Sequence, residues 1–416
     1  MFEVEARRVI DWCRALAAHS ESPASITRVC LSDPMRLVHR DLAAWMTRLG
    51  MATSIDAAGN LRGVRRAIPS SPGPLVPSSP GPFYLASHLD TVPDAGAFDG
   101  VLGVVWALAV VESLRDATLP FDVEVIGFSD EEGVRFHTPF IGSRALAGTL
   151  DDDLLACRDE TGVSLREALE RFGADPDARD RAIAPPNAIG YLECHIEQGP
   201  VLEHLDRPLA VVDRIAGQTR AEVTFAGAAR HAGTTPMSLR ADAVAAAAAW
   251  ILAVESEAAR VSGAVATCGR VDASPGAVNV IAGLCRVSLD VRHANDDIRA
   301  ALVETLRSRA HAIAGRRGVG IEWATRMDQP AVAMDASLTA ELAQAAGRCG
   351  YVATPMTSGA GHDAMIVAAR LPAAMLLVRS PGGVSHHPDE RVIDSDIAAA
   401  IAVGRELLFG LARRLV

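Results

Sequence analysis

The sequence SHLDTVP occupies residues 87–93 and overlaps the end of a short apolar segment, Phe83–Ser87, that is typical of a buried β-strand. This strand delivers His88, and Asp90 lies two residues further along the chain. The sequence AFDG follows and adds the carboxylate of Asp99. One segment of chain thus places an imidazole and two carboxylates directly after a buried strand.

The same arrangement recurs along the first half of the chain. The run Val101–Leu114 predicts a helix, and Val123–Phe128 predicts a buried strand followed by the sequence SDEEG at residues 129–133. A further predicted strand, Tyr191–Ile196, carries His195 near its end. Strands that alternate with helices favour a parallel or mixed sheet with helices on both faces, so the fold class is α/β. Such sheets hold their sites at the carboxyl ends of the strands.

Length, composition and charge restrict the class of protein. A chain of 416 residues is too long for one ordinary core, so we expect two domains. Its 49% hydrophobic and 22% charged residues are normal for a globular protein. The net charge of -11 argues against nucleic acid and anionic membranes as partners, because phosphate binding needs a basic surface.

The cysteines and apolar runs bear on the cellular compartment. The seven cysteines are scattered and include no C-x-x-C pair, which excludes a disulfide framework and favours a reducing cytoplasm. The charged N-terminal segment lacks the apolar core of a signal peptide. The longest apolar runs, Val101–Val111 and Ala243–Val254, are too short to span a bilayer.

The pattern of elements changes near Val211. The order becomes strand, helix, strand, strand, helix, strand, which is typical of a small α+β domain of ferredoxin-like type. Its predicted strands are Arg220–Phe225, Val261–Val271, Cys285–Arg292 and Val319–Met327, and its predicted helices are Asp242–Glu257 and Asp296–Ala314. The α/β pattern returns after about Asp328. We therefore predict a catalytic domain of residues 1–212 and 329–416, interrupted by an inserted domain of residues 213–328.

Five side chains stand out as candidate metal ligands, because each follows a predicted strand or lies in a glycine-rich loop. They are His88, Asp99, Glu132, His195 and His386. Imidazole and carboxylate together suit zinc, manganese, cobalt or nickel. We predict two divalent ions that share Asp99, one held also by His88 and His195 and the other by Glu132 and His386.

Two further carboxylates would complete the chemistry. Two ions close together polarise a carbonyl and lower the pKa of a water between them, and Glu131 would take that water's proton. Asp90 would accept the second ring N–H of His88 and fix its tautomer. Taken singly, a histidine is more often structural or exposed, and a Glu-Glu pair is usually surface charge, so the prediction rests on the joint pattern.

Segments over nearly the whole chain resemble the M20 metallopeptidase clan, in particular its amidohydrolase branch. That branch holds N-carbamoyl-L-amino acid hydrolases, allantoate amidohydrolases and β-ureidopropionases. The matching segments are SHLDTVPDAGAFDG (87–100), DEEGVRF (130–136), IGSRALAG (141–148), LECHIEQGPVLE (192–203), AGAARHAGTTPMSLRADA (226–243), AVNVIAG (277–283), DVRH (290–293), SGAGHDAM (358–365) and GGVSHHPDE (382–390). The resemblance implies a di-metal aminopeptidase-like catalytic domain with an inserted lid and dimerisation domain.

The resemblance also implies roles for individual residues. The five candidate ligands match the clan's metal ligands, and Glu131 matches its general base. In the clan's peptidases the position of His195 is usually Asp or Glu, so His195 sets this branch apart. The Ser-His-x-Pro-x-Glu spacing makes His386 the ligand, and a slip of register would substitute His387.

Substrate contacts are implied in the same way. Gln198 would bind a ureido group, and a loop at Gly359 and Ala360 would lie near the substrate carboxylate. Arg292 would bind that carboxylate with a bidentate fork. His231 and Asn279 would stabilise an oxyanion from the partner subunit, because in this family the inserted domain carries the contact of a homodimer. The alternatives are that His231 is a turn residue, Arg292 a surface ion-pair partner and His362 a buried residue behind the ligands.

The function predicted is hydrolysis of a linear ureido (carbamoyl) amide C–N bond, releasing ammonia and carbon dioxide from a small ureido acid. Allantoate and N-carbamoyl-L-amino acids are nearly equal candidates. An aminoacylase or dipeptidase is disfavoured by His195 and the Gln198 motif. A non-catalytic scaffold is disfavoured because all five ligands and the base are present. The Pro/Ser/Gly-rich stretch Pro69–Pro82 predicts a surface loop without an assigned function.

Overall fold

The chain forms two compact units in a computed structural model that describes residues 2–67 and 80–415. Unit 1 comprises the described residues up to Asp213, the segment Ala333–Met356 and the described residues from Gly361 onward. Unit 2 comprises Arg214–Val332 and Thr357–Ala360. Most of the predicted loop Pro69–Pro82 lies outside the described residues.

The elements are numbered in chain order. The α-helices are α1 Glu3–Ala17, α2 Asp33–Arg48, α3 Val101–Ser113, α4 Ile141–Ala147, α5 Asp152–Ala156, α6 Leu165–Phe172, α7 Val201–His204, α8 Ala243–Ala258, α9 Asp296–Arg317, α10 Ala336–Arg348, α11 Asp363–Val367 and α12 Asp394–Leu415. The strands are β1 Ala52–Ile55, β2 Leu61–Arg65, β3 Phe83–His88, β4 Val123–Phe128, β5 Gly190–Ile196, β6 Leu209–Ile215, β7 Gly217–Ala226, β8 Arg230–His231, β9 Val265–Thr267, β10 Val271–Ser274, β11 Val280–Ile281, β12 Leu284–His293, β13 Gly320–Gln329, β14 Val332–Ala333, β15 Thr354–Ser358 and β16 Ala373–Val378.

A mixed sheet forms the centre of unit 1. Its strand order is β1-β2-β4-β3-β5-β16-β6-β14, and β15 also pairs with β6. The four strands β4, β3, β5 and β16 run parallel, and every residue in them is buried. The helix α3 is apolar on all sides and fully enclosed from Val101 to Val111, which explains why its sequence shows no helical periodicity. The predicted α/β class is confirmed.

Unit 2 contains a five-stranded antiparallel sheet with order β10-β12-β7-β13, in which β9 also pairs with β12. Alternate residues of β7, among them Val223 and Phe225, join Trp250 of α8 and Leu306 of α9 in one apolar core. The opposite face of the sheet carries polar side chains. This strand order is that of a ferredoxin-like fold.

Two sequence predictions about unit 2 require correction. The single strand predicted over Val261–Val271 is two strands, β9 and β10, because Gly269 interrupts it and the N–H of Arg270 donates to the Ser288 hydroxyl. The segment Thr357–Ala360 was assigned to the catalytic domain but belongs to unit 2. It is held there by bonds such as that from the Ala216 N–H to the Ser358 carbonyl, at 2.9 Å.

No helix within the described ranges is long and apolar enough to cross a membrane.

The buried histidine of α2 gives a test of the unit 1 core. His39 is 4% exposed and packs edge-on against Phe172. Burial, together with the charges of Arg28 and Arg36, lowers its pKa from 6.5 to about 3. Between pH 6.5 and about pH 3, His39 binds a proton in the unfolded chain but not in the folded chain. The free energy of unfolding therefore falls as the pH falls.

We therefore expect the wild type to lose about 2 kcal/mol of unfolding free energy through this group between pH 7 and pH 5. The substitution His39→Leu should remove this part of the loss while leaving the contribution of other groups in place. Urea unfolding of both proteins at the two pH values measures the difference. Equal losses would show that His39 is not buried in its neutral form.

Candidate metal centre

Three parallel strands deliver the predicted ligands to one edge of the unit 1 sheet. His88 is the last residue of β3, His195 is the penultimate residue of β5, and Glu132 lies four residues after the end of β4. The rings of His88 and His195 are each 2% exposed. Because β3 lies between β4 and β5, the side chains that end these strands converge.

The first group of converging donors contains His88, Asp99 and His195. Nδ1 of His88 lies 3.0 Å from the Asp90 main-chain oxygen, and Nδ1 of His195 lies 2.9 Å from the Ile196 main-chain oxygen. A ring that donates through Nδ1 presents the lone pair of Nε2. The two Nε2 atoms are 3.4 Å apart, and that of His195 is 3.4 Å from Oδ1 of Asp99.

The second group contains Asp99, Glu132 and His386. Nε2 of His386 lies 3.0 Å from Oδ2 of Asp99 and 3.6 Å from Oε1 of Glu132. Asp99 therefore turns one carboxylate oxygen to each group. Within each group the candidate ligand atoms lie within 4.8 Å of one another, and the two groups are those paired in the sequence analysis.

The chemistry of these donors fits two divalent cations. Lone pairs of buried imidazoles and a carboxylate repel one another unless a positive charge lies between them. Burial lowers the pKa of His195 to about 4, which keeps the ring in the neutral form that ligates metals. At His88 the carboxylates of Asp90, Glu131 and Asp99 outweigh burial and raise the pKa. The site therefore favours positive charge.

Local geometry requires the glycine of the sequence FDG. Gly100 follows Asp99 with a φ of +66°, and a Cβ at this position would lie 2.4 Å from the His88 ring. Only glycine tolerates both the backbone conformation and this close approach.

Glu131 lies beside both ligand groups without belonging to either. Its carboxylate, His88 and Glu132 form a further cluster with ligand atoms within 4.8 Å. Burial raises the pKa of Glu131 well above its ordinary value, and the charges of Glu132 and Asp363 raise it further against the opposing charge of His88. Burial also raises the pKa of Glu132 to about 7. A carboxylate with a raised pKa is suited to accepting and then releasing a proton.

Asp90 contacts the His88 ring through its main chain more closely than through its carboxylate. The ring of His88 bonds the main-chain oxygen of Asp90, while its nearest carboxylate oxygen is further away, at 3.5 Å. The Asp90 carboxylate instead accepts the N–H of Glu131 at 3.0 Å and that of Glu132 at 3.1 Å. The turn after β3 places the carbonyl nearer to the ring, so Asp90 positions the loop that carries the base.

Gln198 contacts the centre directly. Its amide nitrogen donates to Oδ1 of Asp99 at 3.0 Å and to the Ser385 hydroxyl at 3.1 Å. It also lies 3.4 Å from Nε2 of His386. The predicted contact with a ureido group stays a prediction, while the structure gives Gln198 a role in orienting Asp99.

Sequence reasoning missed two buried carboxylates. Glu390 accepts the N–H groups of Phe98 and Asp99 on Oε2, at 2.7 and 2.9 Å. Glu193 lies behind the ligands, bonded to the Ser87 hydroxyl and to the N–H of Ala364. The sequence contains a signal for Glu390, which follows His386 by four residues. It contains none for Glu193, which is a single glutamate within a strand.

Three ambiguous residues are placed by the structure. His387 is exposed and lies beside Asp389, outside the candidate ligand groups, whereas His386 lies within one of them. His362 is buried with its ring 4.5 Å from that of His195. Cys194 is buried in the apolar core, as expected for a side chain on the opposite face of the strand from His195.

The predicted substrate residues of unit 2 lie at two separate locations. The ribbon of β8 and β11 sets His231 opposite Val280, and the Ala232 N–H donates to the Asn279 carbonyl, so His231 and Asn279 are neighbours and both are exposed. Nδ1 of His231 accepts the N–H groups of Gly233 and Thr234, so Nε2 is the ring nitrogen without a hydrogen-bond partner among the described residues.

The second place surrounds Arg292. Its Nη1 donates to the Gly359 carbonyl at 2.7 Å, and the Ala360 N–H donates to the Ser358 hydroxyl at 3.2 Å. A cavity of about 1100 Å³ within unit 2 is lined by Arg292, Asp290, Arg220 and Gly359. Among the described residues, neither His231 nor Asn279 lines this cavity, so the structure does not bring them to Arg292 within one unit.

Comparison with known proteins assigns the chain to a family through residues 84–409. The chain belongs to peptidase family M20/M25/M40. The family resemblance predicted from the sequence motifs is therefore confirmed.

Relatives and solved structures extend this assignment. The chain is 38% identical to the N-carbamoyl-L-amino acid amidohydrolase of Geobacillus stearothermophilus, over 92% of each chain. It is 36% identical to the allantoate deiminase of Arabidopsis thaliana, over 95% of this chain and 78% of that protein. The crystal structure of an amidase of the hydantoinase/carbamoylase family from Burkholderia multivorans matches with a TM-score of 0.90 and 30% identity, over 98% of both chains. The chain is thus a hydrolase of the amidohydrolase type.

The adjacent residues Glu131 and Glu132 allow a matched test of the ligand assignment. We expect the wild type and Glu131→Gln both to bind two divalent ions per chain, because Glu131 lies outside the two predicted ligand groups. Glu132→Gln should bind one ion tightly, because it removes a charged oxygen from the second group. Elemental analysis after exhaustive dialysis measures both. Loss of an ion in Glu131→Gln, or two tightly held ions in Glu132→Gln, would refute the assignment.

Proposed function

We propose that this protein hydrolyses the carbamoyl C–N bond of a small linear ureido acid, releasing ammonia and carbon dioxide. The observation that carries the proposal is the carboxylate of Asp99, which turns one oxygen to each of two imidazole-containing groups with Glu131 beside them. Relatives named N-carbamoyl-L-amino acid amidohydrolase and allantoate deiminase, similar over most of the chain, support this substrate class.

The residues of the chain divide the chemistry among them. Two divalent ions, zinc or manganese with cobalt or nickel as further candidates, would be held by the two groups and would polarise the carbamoyl carbonyl and acidify the attacking water. Glu131 takes the proton of that water and delivers it to the leaving nitrogen. Asp90, through the N–H groups of residues 131 and 132, holds the base in place while it does so.

Substrate recognition is assigned to unit 2. Arg292 binds the carboxylate of the ureido acid, with the backbone at Gly359 and Ala360 beside it. His231, whose free ring nitrogen is Nε2, and Asn279 donate hydrogen bonds to the oxyanion that forms at the carbamoyl carbon. Allantoate and N-carbamoyl-L-amino acids each carry one carboxylate and a ureido group, so both fit this set.

We infer a homodimer formed through unit 2, in which the partner's His231 and the partner's Asn279 complete each site. The support is the exposure of these two side chains together with apolar residues exposed on the same unit, among them Val244 and Leu252 of α8 and Val265 of the edge strand β9. A cytoplasmic location fits the seven free cysteines, since a reducing compartment keeps thiols unpaired.

The first experiment measures ammonia release by the manganese-loaded protein from allantoate and from a panel of N-carbamoyl-L-amino acids. We expect turnover of at least one ureido acid and its loss in EDTA, because the donors of the centre require a cation. N-acetyl-L-amino acids serve as the matched panel for aminoacylase activity. Release of acetate from that panel without ammonia from any ureido acid would contradict the proposal.

The shared site is tested by subunit complementation. Glu131→Gln should lower the turnover number by about 10²- to 10⁴-fold because it removes the general base. His231→Ala should also be nearly inactive, because it removes an oxyanion donor. Co-expressed in one cell, the two variants form a mixed dimer with one intact site, so a substantial part of the activity should return. Mixed dimers that stay inactive would place His231 in the site of its own chain.

A further inference from the structure

The polar face of the unit 2 sheet contains an aspartate that accepts four hydrogen bonds from three side chains. Oδ2 of Asp290 accepts from Nε2 of Gln218 at 2.5 Å, from Nε of Arg220 at 3.0 Å and from Nη2 of Arg292 at 3.0 Å. Oδ1 accepts from Nε of Arg292 at 3.0 Å. Oδ2 receives three of the four donors and Oδ1 receives one, so Asp290 is a structural acceptor rather than a free acid.

Strand geometry creates this cluster. Asp290 and Arg292 are two residues apart on β12 and therefore share one face of the sheet. On the neighbouring strand β7, Arg220 is paired with Asp290 and Gln218 with Arg292. Burial raises the pKa of Asp290, but the hydrogen bonds and charges of its two arginines lower it by more, so it remains ionised.

A second cluster on the same face provides a comparison. Glu222 binds Arg270 and Arg326, each at 3.0 Å, and Arg270 also binds Asp272 at 3.0 Å. Two arginines there face two carboxylates, so their charges balance. At Asp290 two arginines face one carboxylate, which leaves one positive charge among the described side chains of the cluster.

We propose that Asp290 is a positioning residue that assembles Arg292 and Arg220 into a clamp for one carboxylate. It holds the Nε and Nη2 side of the Arg292 fork, and the Gly359 carbonyl holds Nη1. A guanidinium has five N–H donors, so beyond these three bonds to described residues two donors remain on Arg292 for a bound carboxylate. The single positive charge of the cluster matches a monocarboxylate. All three residues line the cavity of unit 2, which Glu222, Arg270 and Arg326 of the balanced cluster also line.

The proposal rests on the proposed function, because the carboxylate is that of the ureido acid. It adds that recognition depends on an aspartate that does not touch the substrate. Replacing the charge of Asp290 by an amide would turn an N–H₂ group toward two guanidinium groups, and the fork of Arg292 would lose its orientation. Binding of a carboxylate should suffer, whereas the chemical step at the metal centre should not.

The test compares Asp290→Asn with Glu222→Gln, which makes the same acid-to-amide change in the balanced cluster. For an N-carbamoyl-L-amino acid, Asp290→Asn should raise KM by about tenfold or more and leave kcat within about threefold. Glu222→Gln should change neither. For the corresponding neutral N-carbamoyl amino acid amide, both variants should behave as the wild type. Asp290→Asn combined with Arg292→Gln should be no worse than Arg292→Gln alone, because the two act as one unit.

Other outcomes overturn the proposal. An equal rise of KM in Asp290→Asn and Glu222→Gln would mean that only the overall charge of this sheet face affects carboxylate binding, with no specific role for Asp290. A loss of kcat on neutral and charged substrates alike, or a fall in melting temperature confined to Asp290→Asn, would assign Asp290 a purely structural role.

A direct binding measurement separates this inference from the proposed function. If the wild type hydrolyses no ureido acid, the proposed function fails. Calorimetric titration of the wild type and both variants with the same N-carbamoyl-L-amino acid then decides the role of Asp290. Weaker binding by about tenfold in Asp290→Asn alone supports the clamp, and equal binding by all three proteins, or no binding, overturns it.

Discussion

The burial of Asp99 is the constraint on which the centre depends. Its carboxylate lies among three imidazoles and accepts a hydrogen bond from Gln198. The main-chain N–H of Asp99 donates to Glu390. A buried charge is tolerated only where it is paired and hydrogen-bonded. The partners come from three parts of the chain, the end of β3 and the loops after β5 and β16, so the charge of Asp99 links these three segments.

The sequence predicted much of this arrangement because the relevant signals are local. Buried strands read as short apolar runs, and the residues after them were candidates for a site at one sheet edge, which is how His88, Glu131 and His195 were found. The part that the sequence does not specify depends on tertiary contacts. Whether Asp90 binds a ring through its carboxylate or its carbonyl is set by the geometry of one turn, and no spacing encodes it.

Unit 2 shows the same division. The sequence predicted β7 and β12 from their alternation of apolar and polar residues, and it also predicted the long helices. The two strands pair in antiparallel register. The sequence did not predict that Thr357–Ala360 belongs to this unit, because the segment is held there by bonds from residues far away in sequence, such as Arg292. The roles of Glu390 and Glu193 were also hidden, since a single glutamate in a sequence usually marks exposed surface.

The position of β16 has a consequence for the order in which the protein is made. This strand, Ala373–Val378, lies between β5 and β6, whose residues leave the ribosome long before it. All of the main segment of unit 2, Arg214–Val332, is synthesised in the interval. Unit 2 therefore has its strands and helices available for folding while the strand that carries His195 still lacks one neighbour. The metal centre is completed only after β16 has been made, by long-range pairing that is intrinsically slow.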